Sequence, residues 1–249
     1  MSELFSIQLQ NRQQQGRDGV WLDLPTTTEQ VQAALRQIGI SSDNPQGLFI
    51  SGYFAEEEKR FAIPYNMVLA SNVDELNFLA ARLETLSAGE RAELNAALQA
   101  PQSELSSIGK ITDFPENVEY YVYLPDVRGP AQLGDYYLNR SGMVNMPEEW
   151  KGGIDTAQFG RYVAQQEQGA FTQYGYLVKS GDEWQKVHEG QPVPEEYRVL
   201  SFPVPEVMRD AANIPPPVQP ETEPQKVIPI ILNGKDSAER MKEITDRLE

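Results

Sequence analysis

The chain has 249 residues and a formal net charge of −16, it contains no cysteine, and it has a single histidine. The length accommodates one large domain or two to three small ones, and a hydrophobic share of 40% is enough to build buried cores. The lack of cysteine excludes disulfides, thiolate nucleophiles and cysteine-based zinc sites.

The negative charge is spread along the whole sequence. The formal charge is −3 over residues 1–70, −4 over 71–113, −6 over 114–204 and −3 over 205–249. Such a protein repels nucleic acid and anionic lipid and attracts basic partners, although acidity also serves solubility alone. No apolar run reaches about 18 residues and the polar N-terminus lacks a signal pattern, so we expect a cytoplasmic protein without a membrane span.

Residues 1–70 predict a small α+β unit. Strand-like patterns occur at residues 4–9, 20–24 and 47–54. Thr26 and Glu29 have the spacing of a capping box, which predicts the start of a helix that ends at Gly39.

Residues 71–113 predict a helical module. Two capping-box patterns are present, at Ser71 with Asp74 and at Ser87 with Glu90. Each precedes leucines at helical spacing, and Ser103 favours a third, shorter helix. We interpret the leucine stripes as core.

Residues 114–204 predict a second α+β unit with antiparallel strands. Strands are predicted at 119–124, 170–172, 176–179, 184–187 and 198–202. Pro130 opens a helix that stops at Gly142, and Asp155 caps another that stops at Gly169. Residues 205–249 predict a proline-rich linker and a terminal helix, partly disordered, which resembles the front edge of a further module.

The sequence lacks the motifs of common enzyme sites. Phosphate-binding glycine loops, HExxH and EF-hand patterns are missing, so no catalytic residue, metal ligand or cofactor is predicted. His188 lies in a polar run without a serine nucleophile motif, and we expect an ordinary exposed side chain in a loop or edge strand. Adjacent acids leave a carboxylate-based hydrolase as an alternative. The pairs are Asp74/Glu75, Glu148/Glu149 and Glu195/Glu196.

The tyrosines of the second α+β unit have two interpretations. They fit core packing with hydroxyls at the rim, which is the favoured interpretation, and the alternative is a subunit interface, where tyrosine is common. No basic patch accompanies them, which disfavours direct nucleic-acid binding.

Several stretches resemble the ArdA-type antirestriction proteins of plasmids and conjugative transposons. They are Asn11 with Gly16 and Gly19 ahead of WLDLP (21–25), DELNFLAARLETL (74–86), the helix from Asp135 to Gly142, and DTAQFGRYVAQQEQGAFTQYGYL (155–177). The resemblance covers about residues 4–180. The chain departs from the family at NRQQQG (11–16), where a tyrosine-containing loop is usual, and in residues 181–249, which extend past the usual ending. Its last residues look like the opening of single-strand-DNA-binding modules of the ArdC type.

The resemblance implies DNA mimicry by an elongated homodimer of small modules, with the dimer contact in the third. Carboxylates would imitate phosphates and occupy the DNA-binding groove of type I restriction–modification enzymes. The candidate mimic residues are Asp74, Glu75, Glu84, Glu90, Glu93, Glu116, Glu119, Asp126, Asp135, Glu148, Glu149, Asp155 and Glu167. The main alternative is an acidic scaffold or adaptor of a mobile genetic element.

Overall fold

The computed structural model describes residues 4–14, 18–41, 45–56, 60–101 and 103–200. Within them the chain forms two three-stranded antiparallel sheets with helices between them, so the predicted α+β class is confirmed. The predicted linker and terminal helix of residues 205–249 lie outside the described residues. In the described part, no helix combines the length and apolar character needed to cross a membrane.

The first sheet forms from residues that alternate between buried and exposed positions. Its strands are β1 (Phe5–Asn11), β2 (Val20–Leu24) and β3 (Leu48–Phe54), in the order β2-β1-β3. Ile7 and Leu9 are fully buried with the apolar face of helix α1 (Thr28–Gln37), whereas Gln8 lies on the other face. One face of this sheet is therefore core and the other is outer surface.

A helical layer follows the first sheet. Its helices are α2 (Tyr65–Leu69), α3 (Val73–Glu84), α4 (Ala88–Gln99) and α5 (Ile108–Thr112). The predicted capping box of Ser87 and Glu90 at α4 is confirmed. The short α2 was not predicted, since its five residues are too few to show a helical period.

Three predicted helix starts are wrong by a few residues. Helix α1 is capped by Thr27 with Gln30 instead of Thr26 with Glu29, because glutamine at the third position completes a capping box as glutamate does. Helix α3 is capped by Asn72 with Glu75 instead of Ser71 with Asp74. The hydroxyl of Ser71 donates back to Met67 O at 2.8 Å.

The third short helix was predicted from Ser103. It begins after Ser107, whose hydroxyl accepts the backbone N–H of Lys110 at 3.2 Å. The hydroxyl of Ser103 instead accepts the backbone N–H of Leu105 in a turn.

The second sheet follows the helical layer. Its strands are β4 (Tyr121–Leu124), β5 (Ala170–Phe171) and β6 (Tyr176–Lys179), in the order β4-β6-β5. Between β4 and β5 lie α6 (Pro130–Asp135), a π-helical turn (Tyr136–Arg140), α7 (Glu148–Lys151) and α8 (Thr156–Gln166). The helix from Pro130 is confirmed, and Gly142 follows it with a φ of +71°, a value that glycine adopts readily.

The apolar core is continuous from the first sheet to the second. One cluster includes Leu9 in β1, Leu79 in α3, Leu94 in α4 and Leu177 in β6. A smaller cluster joins Tyr176 to residues of α6 and α8. The boundaries of the three predicted modules (1–70, 71–113 and 114–204) remain a prediction.

Candidate acidic interaction surface

Three of the predicted acids begin helices. Glu75 and Glu90 complete capping boxes, and Asp155 accepts the backbone N–H of Gln158 at 3.0 Å. Hydrogen bonds with Ser87 lower the pKa of Glu90, and the bond from the Gln158 N–H is the main cause of the lowered pKa of Asp155. A helix N-terminus also favours negative charge. Glu90 and Asp155 therefore hold their charges in fixed positions.

Three other predicted acids are turned toward the protein interior. Asp74 accepts the backbone N–H groups of Val199 and Leu200 at 2.8 and 2.9 Å, and burial raises its pKa. Glu93 is only 8% exposed. Glu167 is half-buried and accepts hydrogen bonds from two tyrosine hydroxyls. These three carboxylates are therefore less accessible to a partner than the exposed acids.

The remaining seven predicted acids lie at or near the surface in two groups. Three form ion pairs, which are Glu116 with Arg82, Asp135 with Arg140 at 3.2 Å, and Glu148 with Lys151 at 2.6 Å. Glu119, Asp126 and Glu149 are exposed, and Glu84 is half-buried. The structure thus separates residues that the sequence placed in one group.

The predicted set of mimic residues left out several exposed acids. They are Asp18, Asp23, Glu29, Asp182, Glu183, Glu195 and Glu196, of which the last two were predicted only as an adjacent acid pair. One signal was available for Asp23, because the alternation in VWLDL places it opposite the core-facing Leu22 and Leu24. The others follow no period that would have distinguished them from loop acids.

Residues 184–200, which we call the C-terminal strap, are held by side chains of the helical layer. The carboxamide of Asn117 accepts the backbone N–H of Gln185 at 2.7 Å and donates to its carbonyl at 2.9 Å. The carboxylate of Asp113 accepts the backbone N–H groups of Val187, His188 and Glu189 at 3.3, 2.6 and 3.1 Å. These contacts fix the first part of the strap.

The second part of the strap crosses α3. The carboxamide of Asn77 donates to Tyr197 O at 3.0 Å and accepts the backbone N–H of Thr26 at 2.7 Å. The ring of Phe78 packs between His188 and Tyr197, with ring centroids 4.9 and 4.8 Å away. His188 is thus half-buried in a loop, not exposed as predicted.

The strand predictions in the strap are wrong where the structure describes it. Neither 184–187 nor 198–200 forms a strand, whereas 201–202 lie outside the described residues. The physical reason is that their backbone N–H groups bond to side chains of Asn117, Asp113 and Asp74 instead of a neighbouring strand.

Two glycines bring α6 and α8 into close contact. A methyl group on Gly160 would collide with the carbonyl oxygen of Pro130, and one on Gly134 would collide with that of Thr156. Both glycines are buried, and the backbones approach more closely than any side chain would permit. Glycine at these two positions therefore permits the close packing of α6 against α8.

The tyrosines beside these helices range from buried to exposed. The hydroxyl of Tyr176 donates to the carboxylate of Glu167 at 2.9 Å, and that of Tyr137 donates to it at 2.7 Å. Burial is the main cause of the raised pKa of both tyrosines, with Glu167 adding to it. Tyr176 is core, whereas Tyr162 on α8 is largely exposed.

A groove of about 380 Å³ lies beside these tyrosines. Its lining includes Val122, Tyr136, Met143 and Lys179, and among the described residues Glu167 is its single carboxylate. The close carboxylate pair that a glycosidase-like hydrolase needs is thus not found in this groove. The adjacent acids at Glu148 and at Glu195 begin short exposed helical turns.

The fold and its exposed carboxylates define an acidic α+β protein with a surface suited to basic partners. The family model described as antirestriction protein (ArdA) matches residues 15–178, and the chain belongs to this family. The resemblance noted in the sequence is thereby confirmed, and the family implies an antirestriction role. No curated protein matches the chain.

Proposed function

We propose that this protein is a DNA mimic that occupies the DNA-binding groove of type I restriction–modification enzymes. Family membership supplies the antirestriction role, and the observation that carries the mimicry is the distribution of carboxylates at or near the surface over both sheets and the helical layer. Asp23 on β2, Asp126 after β4 and Asp155 before α8 are exposed, and Glu90 on α4 is half-buried.

Electrostatics make this arrangement suitable for a groove that binds DNA. Duplex DNA carries one charge per about 1.7 Å of its axis, and its binding proteins hold lysines and arginines against that array. Caps hold the carboxylates of Glu90 and Asp155 in place and lower their pKa values, so they stay ionised at neutral pH. Ordered, permanent negative charges are what a mimic of phosphates requires.

We further propose that the protein acts as a homodimer joined through residues 114–204. Support comes from large apolar side chains exposed in this part of the chain, namely Met143, Trp150 and Tyr162. Exposed apolar and aromatic side chains are common at protein interfaces. A dimer would double the length of the charge array. Because its targets are cytoplasmic enzymes, we also propose that the protein acts in the cytoplasm.

The first experiment measures cleavage and methylation of DNA by several type I enzymes with increasing amounts of the protein. The proposal predicts that both activities fall, and that they recover as salt is raised, because salt screens exposed charges. If both activities continue unchanged at excess protein with every enzyme, the proposal is wrong. A pull-down that recovers conjugation or replication proteins instead would favour the adaptor alternative.

Variants in which acidic residues are replaced by their amides identify the carboxylates that a restriction enzyme contacts. Neutralising Glu90, Glu119, Asp126, Glu149 and Asp155 together as Gln or Asn should abolish inhibition. Each single variant should retain most of it, because the array is redundant. The matched control neutralises five ion-paired acids, whose charges are locally balanced, and should weaken inhibition less. They are Glu104, Glu116, Asp135, Glu148 and Glu189.

A further inference from the structure

The outer face of the first sheet carries exposed aromatic side chains. Here "outer face" means the side opposite α1. It is formed by alternate residues of β1 and β2 and by their partners in β3, where a register shift between Gln8 and Leu9 breaks the alternation. One row across the sheet consists of Asp23, Ser6 and Phe54, and the next consists of Trp21, Gln8 and Gly52. Trp21 and Phe54 are 50% and 54% exposed. Two large aromatic side chains thus remain open to solvent on one surface.

Gly52 makes room for the indole of Trp21. A methyl group at Gly52 would lie 3.0 Å from the indole edge and 3.1 Å from Gln8 Cβ. The indole therefore crosses the centre of the sheet and meets Phe54 edge-on, with ring centroids 6.4 Å apart. The two rings form one continuous aromatic surface, not two isolated exposed residues.

A carboxylate lies next to this aromatic surface. Asp23 is exposed two residues after Trp21 on the same face, which places it about 7 Å along the strand. Its carboxylate accepts the Ser6 hydroxyl at 2.6 Å. An ionised carboxylate has about four acceptor positions, so capacity for further donors remains. An aromatic face with an adjacent carboxylate is suited to a cationic side chain.

The same face already holds one guanidinium. The Cζ atom of Arg12 lies 5.3 Å from the ring centroid of Phe49, which is paired with Gln10 in the row next to that of Trp21 and Gln8. Among the described residues, no cation lies over Trp21 or Phe54. The outer face thus binds an arginine of the protein itself at Phe49. At Trp21 and Phe54 the described residues supply no such cation.

We propose that Trp21, Asp23 and Phe54 form a docking surface for arginine or lysine side chains of a basic protein partner. A guanidinium would stack on the indole while it donates hydrogen bonds to Asp23. In a complex with a restriction enzyme, this docking surface rests on the proposed function and deepens it. The aromatic contact would be screened weakly by salt, whereas the contacts of the exposed carboxylates are screened strongly. The surface itself requires only a basic partner.

The test measures affinity for the DNA-recognition complex of a type I enzyme by titration calorimetry. Trp21→Ala with Phe54→Ala should weaken binding about tenfold and leave the slope of log Kd against log salt unchanged. The single variant Trp21→Phe should keep most of the wild-type affinity, because it retains an aromatic ring at this position. Val187→Ala is the control, since Val187 is a 42% exposed apolar side chain outside the first sheet and is not among the side chains assigned to the dimer contact. Thermal unfolding confirms that each variant is folded.

A second readout does not depend on the restriction enzyme. The protein is labelled with 5-fluorotryptophan and titrated with a hexa-arginine peptide, and the Trp21 resonance is assigned by its loss in Trp21→Phe. The Trp21 resonance should shift more than those of Trp150 and Trp184, and Asp23→Asn should reduce the shift.

The two readouts separate the outcomes. Equal affinity of wild type and the Trp21/Phe54 variant, or an equal loss in Val187→Ala, overturns the docking surface while the proposed function stands. If wild type does not bind the enzyme at all, the proposed function fails, and the peptide titration decides the docking surface alone. A Trp21 resonance that stays fixed while the others shift overturns it.

Discussion

The carboxylate of Asp113 accepts the backbone N–H of His188 at 2.6 Å, across 75 positions of sequence. Asp113 is 0% exposed and lies at the end of α5, whereas His188 belongs to the C-terminal strap. The matched family region ends at residue 178, so this bond joins a segment beyond the match to the core of the fold. The strap is therefore part of the folded protein.

Replacing Asp113 tests that role. Asp113→Ala leaves three backbone N–H groups without their acceptor, and we expect a loss of about 3 kcal/mol in the free energy of unfolding. Urea denaturation measures it. Asp182→Ala, at an exposed acid near the strap, is the control and should change stability by less than about 0.5 kcal/mol. Similar values for the two variants would contradict the assigned role.

The crossing of α6 and α8 depends on the absence of a side chain at Gly160. Gly160→Ala should lower the free energy of unfolding by about 2 kcal/mol or more, because the added methyl group collides with backbone atoms that cannot rotate away. Gly152→Ala is the control, because a methyl group there meets nothing within 4 Å. Thermal unfolding of Gly160→Ala and Gly152→Ala measures the difference. A neutral Gly160→Ala would show that the helices do not pack so closely.

Tyr176 and Glu167 should be energetically coupled through their hydrogen bond. Tyr176→Phe removes a hydroxyl that donates to a carboxylate, and we expect a loss of about 2 kcal/mol. Tyr162→Phe, on the exposed side of α8, should have little effect. A double-mutant cycle with Glu167→Ala, which removes the acceptor, measures the coupling, and additive effects within about 0.5 kcal/mol would refute it.

Glu93 should make stability depend on pH. Burial, with the charge of Glu90 adding to it, raises the pKa of Glu93 to about 7, whereas an unfolded glutamate has a pKa of about 4.3. The other titratable groups that face it are Tyr121 and Tyr123 on β4. Between these pKa values the folded protein keeps a proton that the unfolded chain has lost. Stability should therefore fall as pH rises through this window.

Glu93→Gln isolates this effect, because glutamine resembles the protonated acid. The variant should be more stable than wild type by about 2 kcal/mol at pH 8 and equal to it near pH 4.3. Urea denaturation across this range measures the difference, with the exposed Glu119→Gln as a control that should show no such trend. A constant difference between Glu93→Gln and wild type would contradict the raised pKa.

Local chemistry explains how much of the fold was predictable. The box of Ser87 and Glu90 is complete within four residues, so the sequence predicts it correctly. At α1 and α3, neighbouring residues offer equivalent caps, and tertiary packing decides between them. The strap is held by backbone N–H groups that donate to Asp113 and Asn117 from about 70 positions away. No local sequence pattern indicates contacts over that separation.

The candidate site was less predictable for the same reason. Glu90 and Glu93 are three residues apart on one helix, yet one is a cap near the surface and the other is buried. The capping-box spacing identifies Glu90 as a cap, but no local pattern shows that Glu93 is buried. Only the packing of α4 against the rest of the fold distinguishes a charge that a partner can meet from one that it cannot.

Competition between the protein and DNA for one enzyme tests the proposed mimicry most directly. Fluorescence anisotropy of a labelled cognate duplex bound to the DNA-recognition complex of a type I enzyme follows displacement as the protein is added. The account predicts full, mutually exclusive displacement, with an affinity that weakens about tenfold or more between roughly 50 and 200 mM salt. A ternary complex in which the enzyme holds DNA and this protein together would contradict it.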